Sequence, residues 1–231
     1  MQFFVDSLRS ALLLIREMDP ELVNVVWVSL KVSLSSTAIA SLLGVPLGFA
    51  VAMGSFPGRR GFITVLNTLL AVPTVVIGLF VYTFISRKGI LGDLDLLYTQ
   101  KAIIIGQTLL VLPIVAAFTI SALSRVDTRY RKTALTLGAN AWQTGLLILR
   151  EARYGIGAAI VAAFGRAIAE IGVAMMLGGN ARGFTRTMTT AMALEYDKGQ
   201  FILAVALGMI LLTVSLVVNI VLNLCQGRLE K

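Results

Sequence analysis

The chain is poor in the side chains that usually carry enzyme chemistry. Its 231 residues include no histidine and one cysteine, Cys225. Disulfides within the chain, metal sites of His and Cys and a Ser-His-Asp triad are therefore excluded. The sequence also has no Gly-x-x-x-x-Gly-Lys-Ser/Thr phosphate loop, so we do not expect this chain to hydrolyse ATP or to bind a cofactor or metal of its own.

Charged residues are also scarce. They make up 14% of the chain, against 57% hydrophobic residues, and the mean hydropathy is +0.87. Soluble domains carry about a quarter charged residues. The net charge of +8 is spread through an apolar chain, which argues against a nucleic-acid partner. The composition instead predicts an integral membrane protein in contact with lipid.

Five apolar runs are long enough to cross a bilayer, which takes about 20 residues in a helix. The predicted spans are about 22–54, 62–86, 102–124, 157–178 and 200–224. We therefore predict an all-α membrane protein of five transmembrane helices, with residues 22–231 as the transmembrane domain. Residues 1–21 are predicted to form an amphipathic helix at the interface, because the apolar run there is too short to span.

Five spans place the two ends of the chain on opposite sides of the membrane. Arg and Lys are crowded into the short linkers at 57–61, 125–156 and 226–231, where only Asp127, Glu151 and Glu230 oppose them. Basic residues beside the membrane favour the cytoplasmic side. We therefore predict a cytoplasmic C-terminus, a cytoplasmic 125–156 segment and an N-terminus outside.

The 125–156 segment is longer than a simple connection requires, which is typical of a functional loop. Apolar residues recur in it at near-helical spacing, and Gly138 and Asn140 interrupt the run. This pattern predicts two short helices with a bend at Gly138, the second one capped by Asn140. The segment is either an interfacial helix or a rigid protrusion that contacts a soluble partner.

The same segment resembles the cytoplasmic EAA loop of ABC importer permeases. That loop has Glu-Ala-Ala, three residues, Gly, nine residues, Ile, one residue and Leu-Pro. Here Lys132-Thr133-Ala134 occupies the triplet, Gly138 and Ile148 follow at the same spacing, and Arg150-Glu151 replaces Leu-Pro. The resemblance implies that the residues coupling this chain to an ATPase are Lys132, Thr133, Ala134, Gly138, Ala139, Asn140, Trp142 and Ile148.

The resemblance extends along the chain. Gly44-Val-Pro-Leu-Gly48, Val72–Leu79 and Leu112-Pro113 are similar to segments of the same permease fold, a type I (MetI-like) importer fold. The segment that begins with residues 163–172 and ends at Gly179-Asn180 is similar to the molybdate, sulfate and tungstate permeases. Residues 185–191 look most like the tungstate permeases. Tungstate import is the function this implies, with molybdate or sulfate as the alternative.

The resemblance also implies the partners. A permease of this family acts as two copies, with two ATPase subunits carrying ATP and Mg on the cytoplasmic side and an extracytoplasmic receptor that delivers the anion. The location implied is the cytoplasmic (inner) membrane. Two rival classes are an ATP-independent secondary transporter or channel, which needs no docking loop, and a purely structural membrane protein.

Two further groups of residues are candidates for function. Arg166 and Glu170 stand four apart in the fourth span, so they share a helix face and form either a structural ion pair or part of an anion path. Between the last two spans, an outer mouth or receptor contact is predicted at Asn180, Arg182, Thr185 and Arg186. These residues are equally consistent with an ordinary solvated loop.

Overall fold

A computed structural model describes residues 5, 6, 9, 12, 13, 16 and 20–227, with side chains through residue 221. The predicted interfacial helix of residues 1–21 lies largely outside the described residues. Within the described part the chain is helical, with no strand, as the composition predicts.

Three single helices are long and apolar enough to cross a membrane. They are α1 (Pro20–Met53), α4 (Gln100–Ser124) and α10 (Phe201–Gly227). Pro46 and Pro113 lie inside α1 and α4 without ending them. The predicted spans 22–54, 102–124 and 200–224 therefore correspond to single helices.

The other two predicted spans are each broken. Helices α2 (Arg59–Leu69) and α3 (Thr74–Ile85) meet at 101°. The predicted span 62–86 is thus divided between two helices, because Pro73 is extended and begins α3, and a proline disfavours helical backbone in the residue before it. The protein has five spans by length and composition only if each bent pair counts as one.

The second break divides the predicted span 157–178. Helix α7 (Arg153–Ile168) and helix α8 (Gly172–Gly178) meet at 58°. No proline lies at this break. Glu170 lies at this break, and its side-chain Oε1 accepts a hydrogen bond from the Val173 backbone N–H, in the first turn of α8, at 3.1 Å.

Shorter helices lie between the spans. Helices α5 (Thr128–Thr136) and α6 (Ala141–Glu151) connect α4 to α7, and α9 (Met188–Asp197) precedes α10. A 3₁₀ turn at Gly92–Leu94 lies between α3 and α4.

The core is centred on α1 and α4, which pack together most extensively. Gly44 and Gly48 of α1 face α4 so closely that a Cβ added at Gly48 would lie 2.8 Å from the Ala116 carbonyl oxygen. Small residues four apart allow such close helix contact in membranes. The α1–α4 pair is therefore the frame against which α7 and α8 pack.

Candidate functional site

The 125–156 segment has the two-helix structure that the sequence predicts. Helix α5 ends at Thr136, and Gly138 follows with φ of +80°. The Ala139 N–H donates to the Ala134 carbonyl at 3.0 Å and the Gly138 N–H to the Leu135 carbonyl at 3.1 Å. This is a Schellman ending, whose left-handed position favours glycine. The spacing from Ala134 to Gly138 therefore has a direct structural reason.

Helix α6 begins with a capping box, confirming Asn140 as its N-cap. The Asn140 side chain accepts from the Gln143 N–H at 2.8 Å, and the Gln143 side chain accepts from the Asn140 N–H at 2.9 Å. Two backbone donors that a helix start leaves unpaired are thereby satisfied. The turn between α5 and α6 is thus held on both sides.

The segment is anchored to the spans through its inner face. Ile148 is buried with Leu123, Ala152 and Ile156. A Cβ added at Gly145 would lie 2.8 Å from the ring of Phe49 near the end of α1. Ile148 and Ala134, two of the residues predicted to couple this chain to an ATPase, are 5% and 6% exposed. Any coupling role of these two residues would therefore be exerted from the buried side of the segment.

The outer face of the segment carries large apolar side chains. Trp142 is 70% exposed and Leu137 81% exposed, and Leu135 and Leu146 are also exposed. Lys132 and Thr133 lie on the exposed side as well. Large exposed apolar groups are typical of a surface that contacts a protein or a membrane. Leu135 in α5 and Leu137 just after it were not among the predicted coupling residues. Leucines in an otherwise basic segment could have indicated that these two side chains form a contact surface.

We expect Asn140→Ala to loosen the start of α6, because it removes the side-chain acceptor of the capping box. The loss should amount to about 1 kcal/mol of local stability. Hydrogen exchange of the 139–145 amides in detergent would measure it, with Asn140→Asp as the matched control that keeps the acceptor. Equal protection in the alanine variant and the wild type would contradict the capping role.

The predicted pair in the fourth span is present. Arg166 Nη1 donates to Glu170 Oε2 at 2.8 Å, and the two side chains are 41% and 2% exposed. Glu170 lies in the break after α7 rather than inside one helix, which corrects the prediction of a shared helix face. Its two oxygens divide their contacts between Arg166 and the start of α8. The carboxylate is therefore fixed in position.

Two further buried residues at the break were not predicted. The Gln107 side chain donates to the Ala167 carbonyl at 3.1 Å and accepts from the Ser36 hydroxyl at 3.0 Å. The Thr189 hydroxyl donates to the Glu170 carbonyl at 2.8 Å. These bonds satisfy carbonyls where the helix stops. Because the partners are distant in sequence, no local pattern indicates them.

The predicted outer residues are only partly brought together. Arg182 and Arg186 both form ion pairs with Glu21 at the start of α1. They line a cavity of about 540 Å³ that also includes Lys198. Glu21 was missed, because nothing in the sequence links it to residues more than 160 positions away.

Asn180 and Thr185 serve the loop itself. Asn180 Nδ2 donates to the Thr190 carbonyl at 3.4 Å. Thr185 is fully buried, and its hydroxyl donates to the Gly178 carbonyl at 2.6 Å and accepts from the Ala181 N–H at 2.9 Å. The Thr185 hydroxyl is therefore held inside its own loop in this structure, and a role for it at an outer mouth stays a prediction.

Comparisons with known proteins give a consistent result. Residues 44–231 match the family model described as "Binding-protein-dependent transport system inner membrane component". The tungstate uptake system permease protein TupB of Peptoclostridium acidaminophilum is 37% identical over 98% of this chain and 99% of its own length. A probable anion ABC transporter permease protein of Haloferax volcanii is 41% identical over 86% of this chain and 88% of its own length.

A solved structure has a similar fold. A chain of the MetNI methionine ABC transporter, in an inward-facing conformation, superimposes with a TM-score of 0.70 at 18% identity. The match covers 92% of this chain and 96% of that one. At this identity the likeness concerns the fold, and it agrees with the predicted MetI-like arrangement.

Proposed function

This chain belongs to the family of binding-protein-dependent transport system inner membrane components, and from that premise we propose that it is the permease through which an ATP-driven importer carries tungstate inward. The similarity to a tungstate permease over nearly the full length of both chains supports this substrate. The proposed location is the inner membrane with the N-terminus outside and the C-terminus in the cytoplasm, based on the basic linkers.

The observation that carries the ATP-driven part of the proposal is the outer face of α5 and α6. A rigid turn, closed by the Schellman ending and the capping box, presents Trp142 and Leu137 to solvent. On its other side the same unit is packed against α1 and α4 through Phe49 and Leu123. A partner that pushes this unit moves the spans with it, which is what an ATPase must achieve.

The proposed assembly contains two copies of this chain, two ATPase subunits below α5 and α6, and an extracytoplasmic receptor. ATP and Mg²⁺ belong to the ATPase subunits. ATP binding brings the two α5–α6 units together and turns the spans from inward-facing to outward-facing. The receptor then releases its anion between the two copies, and hydrolysis reverses the motion. Each state is favoured by a different ligand, so two states suffice.

The outer cavity is the proposed entrance. Arg182, Arg186 and Lys198 surround it, against Glu21 and Glu195. The buried Nε of Arg186 has no hydrogen-bond partner in the described part of the chain. Positive charge at a mouth raises the local concentration of an anion, and the exposed Arg182 is also placed to contact a receptor.

Two alternatives remain distinct from this proposal. Molybdate and sulfate are tetrahedral dianions like tungstate, so the permease of either would need the same kind of path. An ATP-independent secondary transporter or channel would not need the anchored α5–α6 unit.

Uptake in the native host tests the proposal. We expect a strain deleted for this gene to lose ATP-dependent uptake of radiolabelled tungstate, with excess unlabelled tungstate competing better than molybdate or sulfate. The tagged chain, purified from native membranes in mild detergent, should bring an ATPase in equal amount. Stronger competition by molybdate or sulfate would reassign the substrate, and uptake without any ATPase requirement would favour a secondary transporter.

A further inference from the structure

The exposed surface of α7 differs from the other exposed helix faces. Helices α1, α3, α4 and α10 expose large apolar side chains, for example Leu42, Phe80, Leu109 and Leu212. Between Leu146 and Ile171 no large hydrophobic residue is exposed. Beyond Arg153 at its first position, the exposed residues of α7 and its end are instead small: Gly155, Ala158, Ala162 and Ala169. Small residues on a membrane helix are typical of a face that another helix approaches closely, and the large apolar groups of the other helices are missing from this one.

A charged group lies at the edge of this small-residue face. The Arg166 side chain is 41% exposed, and a Cβ added to the neighbouring Gly165 would meet no atom within 4 Å. A charge far from the ends of a span is costly against lipid and is typical of a water-filled path. The small residues leave room, and Arg166 borders that room.

Arg166 has donors to spare. A guanidinium carries five N–H donors, and within the described residues Arg166 makes one side-chain hydrogen bond, to Glu170. Its planar donor arrangement suits oxyanions, which it can hold through two parallel bonds. An anion moving along the α7 face would therefore meet donors that are not fully occupied.

Glu170 supplies a fixed counter-charge behind the guanidinium. Its side chain is 2% exposed and also accepts from the Val173 N–H, so the carboxylate is held on the buried side of the guanidinium. The pair is neutral overall, with its positive end toward the open side. Conduction requires sites that attract an ion but release it, and a paired arginine attracts a dianion less strongly than a free one.

We propose that the Arg166 guanidinium contacts a tetrahedral divalent oxyanion as it passes along the α7 face, and that Glu170 keeps this contact weak enough for release. The inference rests on the proposed function, because the α7 face borders a path only in a transporter of such an anion. It goes further by naming the residue that meets the anion and the residue that limits its affinity.

If Arg166 and Glu170 form only a structural ion pair, their variants should change transport in a different way than if Arg166 contacts the anion. Removing Arg166 alone leaves the buried Glu170 carboxylate without its partner, and an unpaired buried charge destabilises the fold whether or not Arg166 contacts an anion. The informative change is therefore the double variant Arg166→Gln/Glu170→Gln. It keeps the size of both side chains and permits an amide–amide hydrogen bond, while the charge is gone.

The test uses the native host with the chromosomal gene replaced, so that the complete transporter is present. Uptake of radiolabelled tungstate is measured per assembled transporter, the assembly being counted by the ATPase that co-purifies with this chain. We expect the double variant to assemble normally and its uptake to fall about tenfold or more, the size of one charge-assisted hydrogen bond. Arg166→Lys, which keeps the positive charge, should retain more uptake than the double variant.

Glu170→Gln alone gives a readout that a purely structural role would not move. Without the counter-charge, Arg166 should hold the anion longer, so the maximal uptake rate should fall. The anion concentration that gives half of the maximal uptake rate should also fall. A structural role predicts a lower number of assembled transporters with unchanged half-saturation.

The outcomes separate the two proposals. Suppose that the wild-type strain imports the anion and that the double variant assembles and transports like the wild type. That result overturns the role of Arg166 and leaves the proposed function standing. A wild-type strain that imports none of tungstate, molybdate and sulfate better than the deletion strain overturns both. If molybdate or sulfate is the anion imported, the same variants are measured with that anion.

Discussion

Gly138→Val is expected to reduce tungstate uptake to background while the chain still reaches the membrane. Gly138 has φ of +80°, and a Cβ there would meet no atom within 4 Å, so the effect arises from the backbone alone. A left-handed conformation costs an ordinary L residue about 1–2 kcal/mol, and a β-branched residue adopts it least readily. Valine would open the Schellman ending and change the angle between α5 and α6. The ATPase partner would then push on a unit that no longer transmits the motion.

Two control variants isolate this effect. Gly138→Asn places a residue that tolerates the left-handed region at the same position, and it should restore most of the uptake. Gly199, between α9 and α10, also has a positive φ of +77° and open space around it, so Gly199→Val imposes a similar strain outside the α5–α6 unit and should leave uptake within about twofold of wild type. Normal uptake by Gly138→Val would count against mechanical coupling through this turn.

Gly48→Val is expected to destabilise the transmembrane domain as a whole. The added Cβ would lie 2.8 Å from the Ala116 carbonyl oxygen and 2.8 Å from the Thr119 Cβ. Both obstacles are backbone or branch-point atoms, so the two helices must separate. Overpacking of a tight interface costs roughly 1–3 kcal/mol, and we expect the upper end of this range. Thermal unfolding of the purified chain in detergent would show a lower midpoint and a lower folded yield.

Gly61→Val is the matched control for that variant. Gly61 also lies in a helix, α2, and a Cβ there would meet no atom within 4 Å. The two substitutions share the same change in helix propensity and differ in the available space. A similar fall in the midpoint for both would mean that propensity, and not the α1–α4 contact, sets the stability.

Local patterns in the chain were sufficient for much of the architecture. Apolar runs about 20 residues long predicted the three long apolar helices and the two bent pairs, because a helix of that length matches the apolar thickness of a bilayer. The Gly138 turn and the Asn140 cap were predictable for the same kind of reason, since both depend on backbone conformation within a few residues. The pairing of Arg166 with Glu170 followed from their spacing.

The breaks in the spans could be anticipated only in part. Pro73 could have indicated the break between α2 and α3, but Pro46 and Pro113 lie in unbroken helices. The break after α7 has no local signal of that kind. Gln107 and Thr189, from other helices, donate hydrogen bonds to the backbone carbonyls left free at this break. The stability of the break therefore depends on residues that are distant in the sequence.

The outer loop shows the same division most clearly. Its composition predicted a basic mouth with a hydroxyl group, and in the structure Arg182 and Arg186 line one cavity. Folding decided that Glu21 neutralises part of that charge and that Thr185 is buried under its own loop. The composition of a segment gives the charged and hydroxyl side chains that it contains. Whether they face solvent or pair with a residue from the other end of the chain depends on packing, because a buried donor takes whichever acceptor the assembled helices bring to it.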